Sequence, residues 1–179
     1  MKMRCFIAID LSDEARDEIA KLQKNFSEAD MKLVEPPNLH MTIQFLGELT
    51  DFQVNQCREL LKNIKFPKFS AHLGNAGVFP SESYIKIAWV SLEPQEVIKE
   101  LHEKIHSSLK GVIALDERFE SHITLARIKF IKDKRQFIEK IKNRKFKQVE
   151  FAVDSFALKK STLTGQGPIY EDIWRTELS

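Results

Sequence analysis

Residues 40–43 read HMTI and residues 122–125 read HITL, so one pattern of histidine, apolar residue, threonine and apolar residue occurs twice. In an extended strand, side chains alternate between the two faces. Each stretch therefore predicts a strand with an imidazole and a hydroxyl on one face and two apolar side chains on the other. If the two strands lie side by side or face to face, their polar faces form one small site with two titratable rings.

The composition is that of a globular protein, with 42% hydrophobic and 30% charged residues over a length of 179. This length fits roughly one domain, and we predict a single bilobal domain over residues 1–179. No run approaches the roughly 18 apolar residues of a membrane span, and the amino terminus resembles a strand rather than a signal peptide. We therefore expect a cytoplasmic location and no membrane association. Cys5 and Cys57 have no ligand spacing and are expected to be reduced thiols near the core.

The order of the expected elements is similar in the two halves of the chain. Apolar periodicity and capping residues predict strands and helices in alternation. Strands are expected at 2–10, 40–46, 69–78, 84–92, 121–128, 146–158 and 170–178, and helices after Ser12, after Thr50, over about 94–109 and after Asp133. We predict an α+β fold of two similar halves, with antiparallel sheets flanked by helices, a pseudo-twofold axis and the active site in the central cleft.

Two histidines can supply both proton transfers that hydrolysis of a phosphodiester requires. A base takes a proton from water, and an acid gives one to the leaving oxygen on the opposite side of the phosphorus. Unperturbed imidazole titrates near about 6.5, so modest environmental shifts leave one ring neutral and the other protonated. A single strand histidine is more often structural, but recurrence of the motif in corresponding halves favours a catalytic role for His40 and His122. The hydroxyls of Thr42 and Thr124 would then hold phosphate oxygens.

Arg127 follows the second motif, and its forked guanidinium matches the geometry of phosphate oxygens. Strict alternation, however, puts Arg127 on the face of Ile123 and Leu125, away from His122. We expect it to reach the site only if the strand twists or ends near Ala126.

At these motifs the sequence resembles the 2H phosphoesterase superfamily, which is named for its paired H-x-T-x motifs. Within the superfamily it resembles the RNA 2′,3′-cyclic phosphodiesterases, also called 2′-5′ RNA ligases. The resemblance covers nearly the whole chain. It includes the opening strand 4–9 (RCFIAI), the first motif 38–48 (NLHMTIQFLGE), the second motif 121–127 (SHITLAR) and the closing segments 155–158 and 167–171. Ser121 departs from the proline that members often have, without consequence for catalysis.

The resemblance implies metal-free opening of an RNA 2′,3′-cyclic phosphate to a 2′-phosphate. No cofactor is expected, because the sequence has neither a G-x-x-x-x-G-K-[ST] loop nor a G-x-G-x-x-G motif. It implies His40 as proton donor and His122 as proton acceptor, with Thr42, Thr124 and Arg127 on the phosphate. The order of the two histidines stays open on the residues alone, because a symmetric site can work in either sense. Some members also join RNA ends through a 2′-5′ bond without ATP. The expected partners are RNAs with 2′,3′-cyclic phosphate ends, tRNA fragments among them, and the expected state is a monomer.

Aromatic residues near the motifs could stack on a terminal base, since single-stranded RNA is commonly held in this way. Tyr170 and Phe6 are the candidates for substrate binding, whereas core packing is predicted for Phe45.

Two other functions and one further segment are considered. Residues 102–106 match H-E-x-x-H, the zinc hydrolase motif, but the charged segment has no evident third ligand and is predicted to be a solvated helix face. Residues 129–147 are strongly basic, which fits either a solvated surface or RNA backbone contacts. Finally, an RNA-end binding module could use the histidines only to hydrogen-bond phosphate.

Overall fold

The computed structural model describes residues 2–27 and 29–179. Within them the chain forms nine strands and four helices. In order these are β1 (Lys2–Asp10), α1 (Asp13–Gln23), β2 (Ala29–Leu33), β3 (His40–Thr50), α2 (Asp51–Leu61), β4 (Phe69–Pro80), β5 (Ile85–Glu93), α3 (Gln95–Leu109), β6 (Ile123–Ile131), α4 (Lys134–Lys142), β7 (Phe151–Val153), β8 (Ser155–Thr164) and β9 (Gly167–Glu177), with a short 3-10 helix at Pro36–Asn38.

Side-chain caps begin three of the four helices within the described residues. The Ser12 hydroxyl accepts a hydrogen bond from the backbone of α1, and Asp133 does the same for α4. Thr50 and Gln53 form a reciprocal capping box at the start of α2. Each cap satisfies a backbone N–H that the helix itself leaves without a partner, so the helix start is fixed by the local sequence.

The strands form an antiparallel sheet in the order β7-β4-β5-β6-β3-β1-β8-β9, and β2 also pairs with β6. This order is palindromic: β6, β5 and β4 in one half correspond to β3, β1 and β8 in the other. The halves meet where Met41 of β3 pairs with Ile123 of β6. The two motif strands are therefore neighbours at the centre of the sheet, and the predicted α+β fold of two similar halves is confirmed.

The helices pack against one face of the sheet, and the apolar residues of both motifs point to them. Met41, Ile43, Ile123 and Leu125 are at most 1% exposed. This burial leaves the opposite face of β3 and β6 to the histidines and threonines. Beyond the Met41–Ile123 pair, β6 continues against β2 rather than β3, so the two halves separate and a cleft opens between them.

Both cysteines are free and buried, as expected. Burial raises the pKa of the Cys5 thiol and of the Cys57 thiol to about 11. Because the thiolate is the reactive form, neither group is suited to nucleophilic chemistry.

Two parts of the predicted element order differ in the structure. Strand β2 was not expected, and the single strand predicted over 146–158 is broken at Asp154 into β7 and β8. The break has a tertiary cause, because β7 pairs with β4 in one half whereas β8 pairs with β1 in the other. No helix in the described part of the chain is long and apolar enough to cross a membrane.

Candidate active site

Strand β3 contains a bulge directly after its motif threonine. Ala8 of β1 lies opposite Thr42, and the preceding Ile7 lies opposite Gln44, so Ile43 is an extra residue on β3. A bulge of one residue interrupts the alternation of side chains. Ile43 and Gln44 are consequently both buried, with exposed fractions of 1% and 3%.

Strand β6 contains the equivalent bulge. Trp89 of β5 lies opposite Thr124, and Ala88 lies opposite Ala126, so Leu125 is the extra residue. Leu125 and Ala126 are both fully buried. The two motif strands therefore share an irregularity at the same position relative to their histidines.

Because of the bulges, Phe45 of β3 and Arg127 of β6 lie on the same face of the sheet as the histidines. Arg127 is exposed on this face, contrary to the position that strict alternation predicted for it. Phe45 is 59% exposed, so the prediction that it packs in the core is wrong. The sequence reasoning missed Phe45 as a site residue because a bulge is not visible in the pattern of apolar residues.

A cavity of about 490 Å³ lies on this face of the sheet. It is bounded by both motif strands, by β2 with the segment after it, and by the turn between β8 and β9. The side chains that line it include His40, Thr42, Phe45, His122, Thr124, Arg127 and Tyr170, together with Lys32, Asn38 and Gln166. The structure thus brings the predicted residues together around one space, with the exception of Phe6.

The two histidine rings are held in the same way. The Nδ1 atom of His40 lies 2.7 Å from the carbonyl oxygen of Asn38, and that of His122 lies 2.9 Å from the carbonyl oxygen of Glu120. A carbonyl can only accept, so the proton of each neutral ring resides on Nδ1. Nε2 of each ring is then the atom available for proton transfer, and Nε2 of His40 lies 3.0 Å from Oγ1 of Thr42.

Burial lowers the pKa of His40 below its ordinary value, and the positive charge of Lys159 acts in the same direction. The hydrogen bond to the Asn38 carbonyl and the charge of Asp10 oppose this shift. Desolvation disfavours the charged form of an imidazole. In the absence of a bound anion, His40 is therefore mainly neutral at neutral pH.

A network of charged side chains stands beside His40 on the neighbouring strands. Nζ of Lys159 lies 3.0 Å from Asp10 and 2.5 Å from Asp172, and Arg175 lies 2.5 Å from both carboxylates. Burial alone would raise the pKa of Asp10, but the hydrogen bonds from Arg175 and Lys159 hold it below its ordinary value. The network links β1, β8 and β9. It lies next to His40 because Asp10 is opposite His40 in the β1–β3 register.

Aromatic rings pack around His40. The ring of Tyr170 meets that of His40 edge-on at 5.1 Å, and Phe6 lies 4.9 Å from His40 and 5.0 Å from Tyr170. Phe6 is only 4% exposed and does not line the cavity, so it presents no face to a base. The expectation that Phe6 binds substrate is thus corrected: its ring supports those of His40 and Tyr170.

Burial raises the pKa of the Tyr170 phenol, so this half-buried group keeps its proton at neutral pH. It can therefore donate a hydrogen bond into the cavity. On the other side, the Phe79 ring meets His122 edge-on at 5.2 Å and stacks on Trp89 at 4.9 Å.

The turn between β8 and β9 is fastened across the cavity to the segment that contains β2. Lys32 donates to the carbonyl of Gln166 at 3.1 Å, and the Asn38 amide donates to the carbonyl of Pro168 at 3.1 Å. Lys32 also lies opposite Arg127 in the β2–β6 pairing, so two cations line the same wall. Sequence reasoning missed Lys32, since β2 has no clear alternation of apolar residues.

The H-E-x-x-H segment is not the solvated helix face that was predicted. His102 and His106 of α3 are 6% and 9% exposed, and both point to the sheet. Nδ1 of His102 lies 2.9 Å from the Ile43 carbonyl, and Nδ1 of His106 lies 3.1 Å from Oε1 of Gln44. Both rings are thus committed to β3 rather than to a shared ligand.

The basic segment 129–147 contributes no side chain to the cavity within the described ranges 2–27 and 29–179. Several of its charges are paired at the surface, for example Lys129 with Asp30 and Arg135 with Glu139. Any contact of this segment with RNA would lie outside the cavity.

Comparison with known proteins identifies relatives of this chain. Residues 9–89 and 90–170 each match the family model described as LigT like Phosphoesterase. A protein of Methanocaldococcus jannaschii named RNA 2′,3′-cyclic phosphodiesterase is 36% identical over 175 residues, covering 96% of this chain and 98% of its own. A protein of the same name from Thermotoga maritima is 33% identical over 183 residues, covering 98% and 95%.

Among solved structures, apo LigT of Escherichia coli superposes with a TM-score of 0.79 at 24% identity and covers 99% of this chain and 98% of its own. This likeness supports the fold. Two consecutive family matches, each containing one motif strand, account for the palindromic sheet. The chain belongs to the LigT-like phosphoesterases, a family of the 2H superfamily. It is accordingly an enzyme that hydrolyses phosphoric esters.

Proposed function

We propose that this enzyme opens the 2′,3′-cyclic phosphate at the end of an RNA to a 2′-phosphate, with two histidines as acid and base and no metal. The proposal depends chiefly on one observation: His40 and His122 line one cavity, each with Nδ1 tied to a carbonyl so that Nε2 is available. The names of the relatives support the cyclic phosphate as the substrate.

The asymmetry of the cavity supports His40 as the acid and His122 as the base. When the terminal nucleobase of the substrate stacks on Phe45, the ribose of the same nucleotide lies on the β3 side of the cavity. The leaving 3′ oxygen belongs to that ribose, so it faces His40. For in-line displacement the attacking water lies on the opposite side of the phosphorus, where His122 can take its proton.

The phosphate would lie between the two motif strands. Thr124 can donate a hydrogen bond to a non-bridging oxygen, Thr42 can do so once His40 is protonated and no longer accepts from its hydroxyl, and Arg127 can add a forked pair of donors. These donors hold the charge that develops on phosphorus-bound oxygens, a form of stabilisation that is usually large in a preorganised site. Tyr170, protonated and beside His40, closes the substrate-binding wall on the ribose side.

Joining of RNA ends through a 2′-5′ bond would use the same groups. In that reaction a ribose hydroxyl replaces water as the nucleophile, and no ATP is required because the cyclic phosphate supplies the reactive ester. Three further expectations remain predictions: tRNA fragments as natural substrates, a monomeric state and a cytoplasmic location.

The test is hydrolysis of an oligonucleotide with a 2′,3′-cyclic phosphate end, in the presence and absence of a chelator. His40→Ala and His122→Ala should each lower kcat about 10²- to 10⁴-fold, the usual contribution of a general acid or base. His72→Ala is the matched control, since His72 lies on β4 away from the cavity. Chelator should leave the rate unchanged.

The alternative is a module that binds RNA ends without turnover. It predicts tight binding of the cyclic end and a cleavage rate no higher than that of the buffer. Either this outcome or full activity of both alanine variants at His40 and His122 would refute catalysis by the two rings.

A further inference from the structure

The carbonyl group of each bulge accepts a hydrogen bond from a buried side chain on a helix. Nε2 of Gln23, on α1, lies 2.9 Å from the Leu125 carbonyl of β6. Nδ1 of His102, on α3, lies 2.9 Å from the Ile43 carbonyl of β3. Helix α1 follows β1 and helix α3 follows β5, so each helix reaches across the pseudo-twofold axis to the motif strand of the other half.

We propose that Gln23 and His102 are positioning residues for the reaction: by holding the two bulges, they bring Arg127 and Phe45 to the substrate. The inference rests on the proposed function and assigns roles to two side chains that do not touch the cavity. His102 belongs to the H-E-x-x-H segment, and its role here requires no zinc.

The physical basis is the hydrogen bonding of a bulge. A bulge leaves backbone groups outside the regular ladder of the sheet. Leu125 and Ile43 are buried, so hydrogen bonds to their carbonyls stabilise the bulges, and the loss of one weakens them. At Leu125 the backbone N–H of Val34 and the amide of Gln23 both donate to the carbonyl. The same Gln23 amide donates to the Val34 carbonyl at 2.9 Å, so it fastens β6 to the chain beside it.

The geometry of Arg127 depends on this bulge. Without the extra residue, alternation from Thr124 would turn Arg127 to the helix face, because a shift of one residue moves a side chain to the other side of a sheet. A variant that lacks the Gln23 donors weakens the bulge and allows Arg127 to leave the phosphate. The loss should therefore appear in activity that depends on Arg127.

The bulge of β3 has further support from α3. His106 bonds to Oε1 of Gln44, and Nε2 of Gln44 donates to the carbonyls of Phe45 and Asp116 at 3.3 and 3.4 Å. The His102 ring stacks on Phe119 at 4.1 Å with an interplanar angle of 8°, which fixes its orientation. His102 thus holds the backbone two residues before Phe45, and His106 holds the Gln44 side chain that donates to the Phe45 carbonyl.

A double-mutant cycle tests the Gln23 role. Gln23→Met has a similar volume and no amide, and it is compared with Ile19→Val, a change at another buried position of α1. In the native background, Gln23→Met should lower kcat/KM for adenosine 2′,3′-cyclic monophosphate about 10-fold, a typical coupling between neighbouring sites. In the Arg127→Ala background, Gln23→Met should cause little further loss.

His102 is tested by removal and rescue. His102→Leu removes the donor, whereas His102→Asn places an amide nitrogen near the position of Nδ1. We expect His102→Leu to raise KM about 10-fold with a smaller change in kcat, and His102→Asn to keep KM close to the wild-type value. In the Phe45→Ala background, His102→Leu should cause little further rise in KM.

The inference would be overturned if Gln23→Met lowered kcat/KM by the same factor with and without Arg127. It would also be overturned if Ile19→Val, at a Tm equal to that of Gln23→Met, lowered kcat/KM as much. Failure of the wild-type enzyme to hydrolyse both adenosine 2′,3′-cyclic monophosphate and an oligonucleotide with a 2′,3′-cyclic phosphate end would instead refute the proposed function. In that case the same cycles are measured by the affinity for adenosine 2′-monophosphate, and additive losses there reject the positioning role independently.

Discussion

Phe45 and Arg127 occupy equivalent places in the two halves of the cavity, each five residues after its histidine and each returned to the cavity by a bulge. The backbone is nearly symmetric here, but the two side chains are not. A flat aromatic ring on β3 suits a nucleobase, and a forked cation on β6 suits a phosphate. This difference distinguishes the surroundings of the two histidines and supports the proposed direction of the substrate in the cleft.

Replacement of Arg127 should affect the reaction more than binding of the base. Arg127→Ala is expected to lower kcat about 10²- to 10³-fold, as loss of one preorganised donor to a developing charge does in other sites. Arg127→Lys should recover only part, because an ammonium does not reproduce the fork. Steady-state kinetics measures the effect, and Arg135→Ala, at an exposed position outside the cavity, is the control. Equal kcat values for Arg127→Lys and the wild-type enzyme would contradict the prediction.

Replacement of Phe45 should weaken recognition of the nucleoside. Stacking on an aromatic ring contributes about 1–3 kcal/mol per base, so Phe45→Ala should raise KM for a nucleoside 2′,3′-cyclic phosphate more than it lowers kcat. Phe52→Ala removes another exposed phenylalanine, on α2, and serves as the control. A ribose 2′,3′-cyclic phosphate without a base should be hydrolysed equally by both variants. Sensitivity of this baseless substrate to Phe45 would argue against stacking.

The pH dependence should differ between the free and the bound enzyme. Burial lowers the pKa of His40 in the free enzyme. A bound phosphate anion favours the charged form of a nearby imidazole and raises its pKa. Because kcat/KM reports on free enzyme and kcat on the complex, the bell-shaped profile of kcat should lie at higher pH. Coincident profiles, or a shift to lower pH, would be inconsistent with an anion bound between the rings.

Mild acid should destabilise the fold. Burial lowers the pKa of His40 and of His102 below the value of about 6.5 in an unfolded chain. Below that pH the unfolded state binds more protons than the folded state, so the free energy of unfolding falls as the pH falls. Thermal unfolding should give a lower Tm at pH 5.5 than at pH 7.5, and His102→Asn should reduce the difference. A Tm that rises on acidification would contradict the lowered pKa of His40 and His102 in the folded state.

Affinity for RNA should depend on salt more strongly than affinity for a mononucleotide. If the basic segment 129–147 contacts the RNA backbone, each contact releases counterions and steepens the decline of affinity with salt. Lys132→Ala and Lys145→Ala, both at exposed positions, should reduce this slope for an oligonucleotide and leave hydrolysis of a nucleoside cyclic phosphate unchanged. Titrations at several salt concentrations decide between RNA contacts and a solvated surface, which predicts no change in slope.

Much of the fold follows from local sequence. The caps at Ser12, Thr50 and Asp133 begin three helices where they were predicted. Strand β1 covers residues 2–10, as its apolar run indicates. Such signals depend on neighbours along the chain and need no knowledge of distant contacts. The break at Asp154 could not be predicted in this way, because it reflects which half each strand joins.

The sequence by itself determined the two motifs, the paired halves and the histidines and threonines of the cavity, since alternation within a strand already places histidine with threonine. Only the tertiary structure decided that Phe45 and Arg127 face the cavity while Phe6 does not. The reason is that a bulge depends on pairing with distant parts of the chain. The bulge carbonyls of Leu125 and Ile43 accept hydrogen bonds from Gln23 and His102, and such contacts leave no periodic signal in the sequence.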